Sequence, residues 1–142
     1  MKGRMPLERG SQTEIRVRYA ECDPMGVVHH SNYPIWFEAA RSTFCRERGI
    51  DYAQMERDGY AMPVLELHCR FIKPAYYEDL VVVRTWPIEC RRSLLRMGYE
   101  VWRGEELLTE AETLQMLIER ASGKPRRFSE ALYERFMSPK IV

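Results

Sequence analysis

The sequence predicts an α+β fold: an antiparallel five-stranded sheet wrapped around one long helix. Three observations carry this. One segment, residues 33–44, repeats bulky apolar residues at helical spacing. Five segments read as strands, one before that helix and four after it. The four later strands follow one another through short links, which favours antiparallel neighbours. The helix needs its apolar stripe covered, and a curled sheet is the only large surface on offer.

Taken in order, residues 1–12 are polar and charged and read as a loose N-terminal arm. Glu14 to Tyr19 alternates, with Ile15, Val17 and Tyr19 on one face and Arg16 and Arg18 on the other, the pattern of a half-buried strand. Asp23-Pro24-Met25-Gly26 reads as a turn, since proline fixes φ and glycine accepts positive φ. A helix should follow, capped by Ser31 or Asn32 and with Pro34 in its first turn, where a missing N–H is no loss. Tyr33, Trp36, Phe37, Ala40 and Phe44 form its apolar stripe, and Gly49 is its stop signal. A short helical piece is expected over Tyr52 to Asp58.

After Pro63 the character changes to strands. Val64 to Ile72 places Leu65, Leu67, Cys69 and Phe71 on one face. Leu80 to Glu89 begins with Leu-Val-Val-Val. Leu94 to Trp102 and Leu107 to Glu119 are joined by Arg103-Gly104-Glu105, a plausible hairpin turn. Ser122-Gly123-Lys124-Pro125 ends the last strand, and Ser129 caps a short terminal helix reaching Phe136. The expectation is one domain over residues 1–142. An open five-stranded sheet leaves edges that pairing with a second copy would cover.

Bulk properties exclude several classes. The 142 residues are 45% hydrophobic and 30% charged, ordinary for a soluble globular chain. A net charge of +1 provides no global field for nucleic acid or anionic membrane. No apolar run approaches a membrane span or a signal peptide, so a cytoplasmic location is the default expectation. Cys22, Cys45, Cys69 and Cys90 form no C-x-x-C pair and read as plain thiols. Phosphate-loop, dinucleotide, serine-hydrolase and zinc-protease motifs are missing, so no cofactor or metal is expected.

The chemistry-bearing residues concentrate between the first strand and the helix. Asp23 is the candidate general base or nucleophile, with a turn aspartate as the plainer alternative. Gly26 would let substrate approach the backbone. His29 and His30 are adjacent, which suits a metal poorly, and His68 lies elsewhere in a strand. The useful group at His30 is its backbone N–H, aimed from the helix start at a carbonyl whose oxygen becomes negative. His29, Ser31 and Tyr33 share that junction as candidate substrate contacts. Glu38, inside the helix and spaced to pair with Arg41 three residues on, is the reserve base, and Glu21 reads as strand-end structure or a neighbour that tunes Asp23. Arg91 and Arg92 form one basic cluster, and Lys124 with Arg126 and Arg127 another; either could hold phosphates or simply be solvated surface charge.

The run Arg18-Tyr19-Ala20-Glu21-Cys22-Asp23-Pro24-Met25-Gly26-Val27-Val28-His29-His30-Ser31-Asn32-Tyr33, with Phe37-Glu38-Ala39-Ala40-Arg41 and Phe71-Ile72-Lys73-Pro74-Ala75, resembles the 4-hydroxybenzoyl-CoA thioesterase family. It is similar also to the Tol-Pal-associated acyl-CoA thioesterase branch of that family. The resemblance implies the hotdog fold, hydrolysis of an acyl-CoA thioester, Asp23 as the catalytic carboxylate and the His30 N–H as the group polarising the thioester carbonyl. It implies a homodimer, often a homotetramer, with CoA lying across the surface. His30 stands where the aromatic-substrate enzyme carries an aromatic residue, which looks more like the Tol-Pal-associated branch. Two rival readings are a hotdog hydratase or dehydratase, whose His-Phe-Pro-type motif is missing, and a non-catalytic acyl-CoA-binding module.

Overall fold

The computed structural model describes residues 9–139 of the chain. Strand β1 (Ser11–Arg16) leads through two short 3-10 turns, Tyr19–Glu21 and His30–Asn32, into the long helix α1 (Tyr33–Glu47). Helix α2 (Tyr52–Arg57) and the two-residue strand β2 (Tyr60–Ala61) follow. Then come β3 (Val64–Phe71), β4 (Leu80–Arg91), β5 (Leu94–Arg103), β6 (Glu106–Met116), β7 (Ile118–Glu119) and helix α3 (Glu130–Met137). The main sheet has five strands in the order β1-β4-β5-β6-β3, every pairing antiparallel, and β2 pairs with β7 in a separate ribbon. None of the described helices is long and apolar enough to cross a membrane.

Helix α1 lies against the sheet with the stripe read from the sequence. Tyr33, Trp36, Phe37, Ala40 and Phe44 are all buried, and Phe37 stacks on Tyr99 of β5 at 4.6 Å. From the sheet side, Val81, Val83, Leu95, Met97, Val101 and Leu108 meet the helix in one core. Gly49 ends the helix as expected: its φ is +67°, and the Ile50 N–H bonds back to the Cys45 carbonyl. The β5–β6 hairpin turns on Gly104, at φ +59°. In β4 the register shifts between Pro87 and Glu89, a bulge that tolerates proline within a sheet and moves Cys90 onto the buried face. Gly98, opposite Trp86, has no room for a side chain, because a Cβ there would lie 2.6 Å from the indole.

Several boundaries differ from the expectations. Ser11 and Gln12 belong to β1, paired with Thr85 and Arg84, because β4 is long enough to continue the ladder. The remainder of the expected arm, residues 1–8, lies outside the described residues. Tyr19 is not on the buried face: the chain leaves the sheet after Val17, and Tyr19 is 77% exposed, edge-on to Tyr77. The expected last strand divides at buried Leu117 into β6 and β7. Strand β3 is an outer strand whose apolar residues stay half-exposed, among them Leu65 at 50% and Phe71 at 50%. That row of apolar side chains and unpaired backbone groups is a surface a single copy leaves uncovered.

Candidate active site

The segment from Cys22 to Val28 is a small hairpin. Cys22 and Val28 form an antiparallel bridge, the Asp23 N–H donates to the Val27 carbonyl at 2.9 Å, and the Gly26 N–H donates to the Asp23 carbonyl at 2.9 Å. Gly26 occupies the tip at φ +83°, a conformation L side chains rarely adopt, with open space around it. Asp23 fulfils the turn role that its sequence position suggests: its Oδ1 accepts from the Met25 N–H at 2.8 Å and from the Val27 N–H at 3.4 Å. The carboxylate is half-buried, and one of its oxygens is thereby fixed by the backbone.

Two anchors hold this hairpin. The Val28 N–H donates to the Ala75 carbonyl at 2.9 Å, and Val27 bridges to Tyr76, which docks the loop on the chain just before β4. The second anchor is Glu21, 3% exposed. Its Oε1 accepts from the Arg18 N–H at 2.8 Å, and its Oε2 accepts from the Trp36 indole at 2.8 Å and the Arg18 guanidinium at 3.3 Å. Its carbonyl accepts from the His29 N–H and from the Asn32 amide, each at 2.9 Å. Burial is the strongest single influence on the Glu21 carboxyl and pushes it up, but the bonds from Arg18 and Trp36 together leave it below the ordinary value of 4.5.

The helix start departs from the expected cap. Neither Ser31 nor Asn32 caps α1 through its side chain; His29 does so for the preceding 3-10 turn, its Nδ1 accepting from the Ser31 N–H at 3.1 Å. His29 also lies 2.8 Å from the Ser31 hydroxyl, and its ring rests against that of His30 at 4.2 Å. His30 begins the turn, so its N–H has no acceptor within it, and among the described residues it bonds to nothing else. The hairpin thus presents a carboxylate fixed through one oxygen, and the turn that follows it presents a backbone donor left open at the helix start.

The other sequence candidates fall elsewhere. Tyr33 is a core residue, 2% exposed, its ring packed on Trp36 and Phe71 at 4.9 Å each, so it lines no open surface of this chain. Arg91, Arg92 and Lys124 are exposed and share one end of the molecule, since the Phe128 N–H bonds to the Arg92 carbonyl and the Leu117 N–H to that of Ser93. The Asp23 hairpin docks on the chain just before β4, at the opposite end of that strand, which measures roughly 35 Å along its path at ~3.3 Å per residue. Glu38 is exposed on α1 and makes no ion pair with Arg41 among the described residues; Arg41 turns inward and donates to the Tyr99 hydroxyl at 3.0 Å. No group of three or more metal-binding side chains occurs among the described residues.

The sequence reading missed a cavity of about 850 Å³ beside α1. It runs between α1, α2 and strands β5 and β6, with Glu38 and Arg41 among its polar residues and Ile50, Met62 and Met97 among its apolar ones. Glu21 has the structural part that its sequence position suggests, but its bond to Trp36 was not foreseen.

The family model described as the thioesterase superfamily matches residues 25–110. YneP of Bacillus subtilis is 34% identical over 122 residues, 85% of this chain and 88% of that protein. The acyl-CoA thioester hydrolase YbgC of Escherichia coli O157:H7 is 26% identical over 123 residues, 86% of this chain and 92% of its own length. Among solved structures, a DHNA-CoA thioesterase from Staphylococcus aureus is 36% identical, with a TM-score of 0.81 over 90% of this chain and 83% of that one.

Proposed function

The chain belongs to the thioesterase superfamily and is a thioester hydrolase of hotdog fold, and from that premise we propose that it cleaves an acyl-CoA thioester into the free acid and CoA. What supports the site assignment is that Asp23 is fixed through Oδ1 in the hairpin that leads into the helix start, where the His30 N–H is uncommitted. The His30 N–H donates to the carbonyl oxygen and stabilises its developing charge. Asp23 adds to the carbonyl carbon or removes a proton from the water that does so. The C–S bond breaks and the sulfur leaves as thiolate and takes up a proton. Where water was the nucleophile the acid is released directly; where Asp23 was, a water then cleaves the acyl-aspartate anhydride to release the acid and regenerate the carboxylate. A thioester needs no metal or prosthetic group for this, because a positioned carboxylate and an oxyanion donor suffice.

Gly26, His29 and Ser31 border the hairpin and are assigned to substrate contact. CoA phosphates require cations, and Arg91, Arg92 and Lys124, at the other end of β4 from Asp23, are assigned that role from a second copy. The half-exposed apolar edge of β3 supports assembly of at least a homodimer, and a homotetramer would join two such dimers.

The test is release of free CoA thiol from short, medium, long and aromatic acyl-CoAs, with an enzyme-only blank for the protein's own cysteines. Turnover of at least one ester supports the reading. Hydration of an enoyl-CoA without thiol release would favour the dehydratase, and tight binding without turnover the binding module.

A further inference from the structure

The chemistry above leaves the cavity beside α1 unused. Along α1 it is lined by Glu38, Arg41, Ser42, Cys45 and Arg46, whose spacings of three and four make one stripe along the helix. Glu38 and Arg41 stand at the end nearer the helix start. Arg41 turns inward and donates to the buried Tyr99 hydroxyl at 3.0 Å, itself 2.7 Å from the Thr113 hydroxyl, so its charge is held in a fixed place. Ile50, Met62, Leu95 and Met97 supply apolar lining, with Arg46, Asp51 and Glu56 at the edge beside Ile50.

Phe136 of α3 stands at the far end. It is 2% exposed, stacked on Phe44 at 5.9 Å and edge-on to Phe128 at 5.8 Å. Helix α3 is itself fastened to the end of α1: Arg135 donates to the Gly49 carbonyl, Arg48 to the Ser138 carbonyl, and Ser129 caps the helix. The wall is therefore a packed element and not a loose side chain.

We propose that this cavity receives the tail of a straight aliphatic acyl chain and that Phe136 sets the length it accepts. This rests on the acyl-thioester reading given above. The volume matches that of sites holding whole small-molecule ligands, ~300–1,000 Å³, so a short acyl group would leave much of it unfilled. The lining surface is mostly apolar despite its charged edge residues, and its two methionines suit a flexible chain.

The test is calorimetric binding of hydrolysis-inert thioether analogues, CoA carrying straight alkyl chains of increasing length. In the wild type, affinity should rise about fourfold per added methylene up to a limiting length and then stop rising. Phe136→Leu should move the limit to longer chains, and Ile50→Phe, which adds volume at the same end, should move it to shorter ones. The shortest analogue should bind within about twofold of wild type in both, since it does not reach that end. Affinity independent of chain length, or a limit that neither folded variant moves, overturns the assignment. Binding is read without turnover, so a chain that hydrolyses nothing yet shows this limit keeps the cavity assignment and loses the hydrolase reading. A chain that hydrolyses esters without any limit does the reverse.

Discussion

Replacing Glu21 by glutamine tests whether the loop bearing Asp23 is held from within the protein. Glu21 is 3% exposed and receives three donors, the Arg18 N–H, the Arg18 guanidinium and the Trp36 indole, across both oxygens. Glutamine keeps the shape, retains one acceptor oxygen and turns an NH₂ toward a donor. Hydrogen bonds to charged groups contribute ~1.5–3 kcal/mol each, and one side of the clamp is lost, so the expected cost is about 2–3 kcal/mol. For a chain of this size that lowers Tm by roughly 4–12 °C. The pH dependence has a definite sign. The folded carboxyl lies below 4.5, so the unfolded chain binds more protons in that window. The clamp's stabilisation is fully present above 4.5 and is lost as pH falls through the folded value. Thermal and urea unfolding of both proteins from about pH 7 to about pH 3 should therefore show a large gap that narrows in acid. A variant within about 0.5 kcal/mol of wild type at neutral pH, or a gap that does not change with pH, would refute the reasoning.

Three further outcomes are expected. Gly98→Ala should destabilise by ~1–3 kcal/mol in urea unfolding, because its Cβ meets the Trp86 ring at 2.6 Å, and Trp86→Leu should recover part of that loss. Gly26→Ala should lose about 1–2 kcal/mol from its φ of +83° with no steric clash, whereas Gly26→Asn, at ease in that region, should lose less. Burial pushes the thiols of Cys45, Cys69 and Cys90 each up to about 11, so brief alkylation at mildly alkaline pH followed by mass spectrometry should label these three slowly until the chain is unfolded.

Much of the fold was legible because periodicity reports burial directly. Tyr33, Trp36, Phe37, Ala40 and Phe44 are apolar at helical spacing for the reason that they face the sheet. Alternation is less informative. It marks two faces of a strand but not where the chain leaves the sheet, which is why Tyr19 continues the pattern of Ile15 and Val17 yet lies in solvent. It also cannot tell an inner strand from an outer one: Leu65, Leu67 and Phe71 share one face of their strand, yet a single copy leaves them half-exposed. The Asp23 turn was legible from local chemistry, since Asp-Pro-x-Gly needs only its own backbone. The Glu21 clamp was not, because its partner Trp36 lies 15 residues away across a turn. The separation of Asp23 from Arg91, Arg92 and Lys124 depends on the length and direction of β4, which side-chain identity does not disclose.

The central claim is that Asp23 and the His30 backbone N–H, not the His30 ring, perform the cleavage. Its most direct test is the rate of thiol release from the best acyl-CoA by wild type, Asp23→Asn and His30→Ala, with fold and oligomeric state checked for each. The account predicts that Asp23→Asn loses at least ~100-fold in kcat, as removal of a positioned acid–base group does, while His30→Ala, which keeps the N–H, stays within about tenfold of wild type. A folded Asp23→Asn with undiminished turnover, or a His30→Ala as inactive as Asp23→Asn, would contradict it.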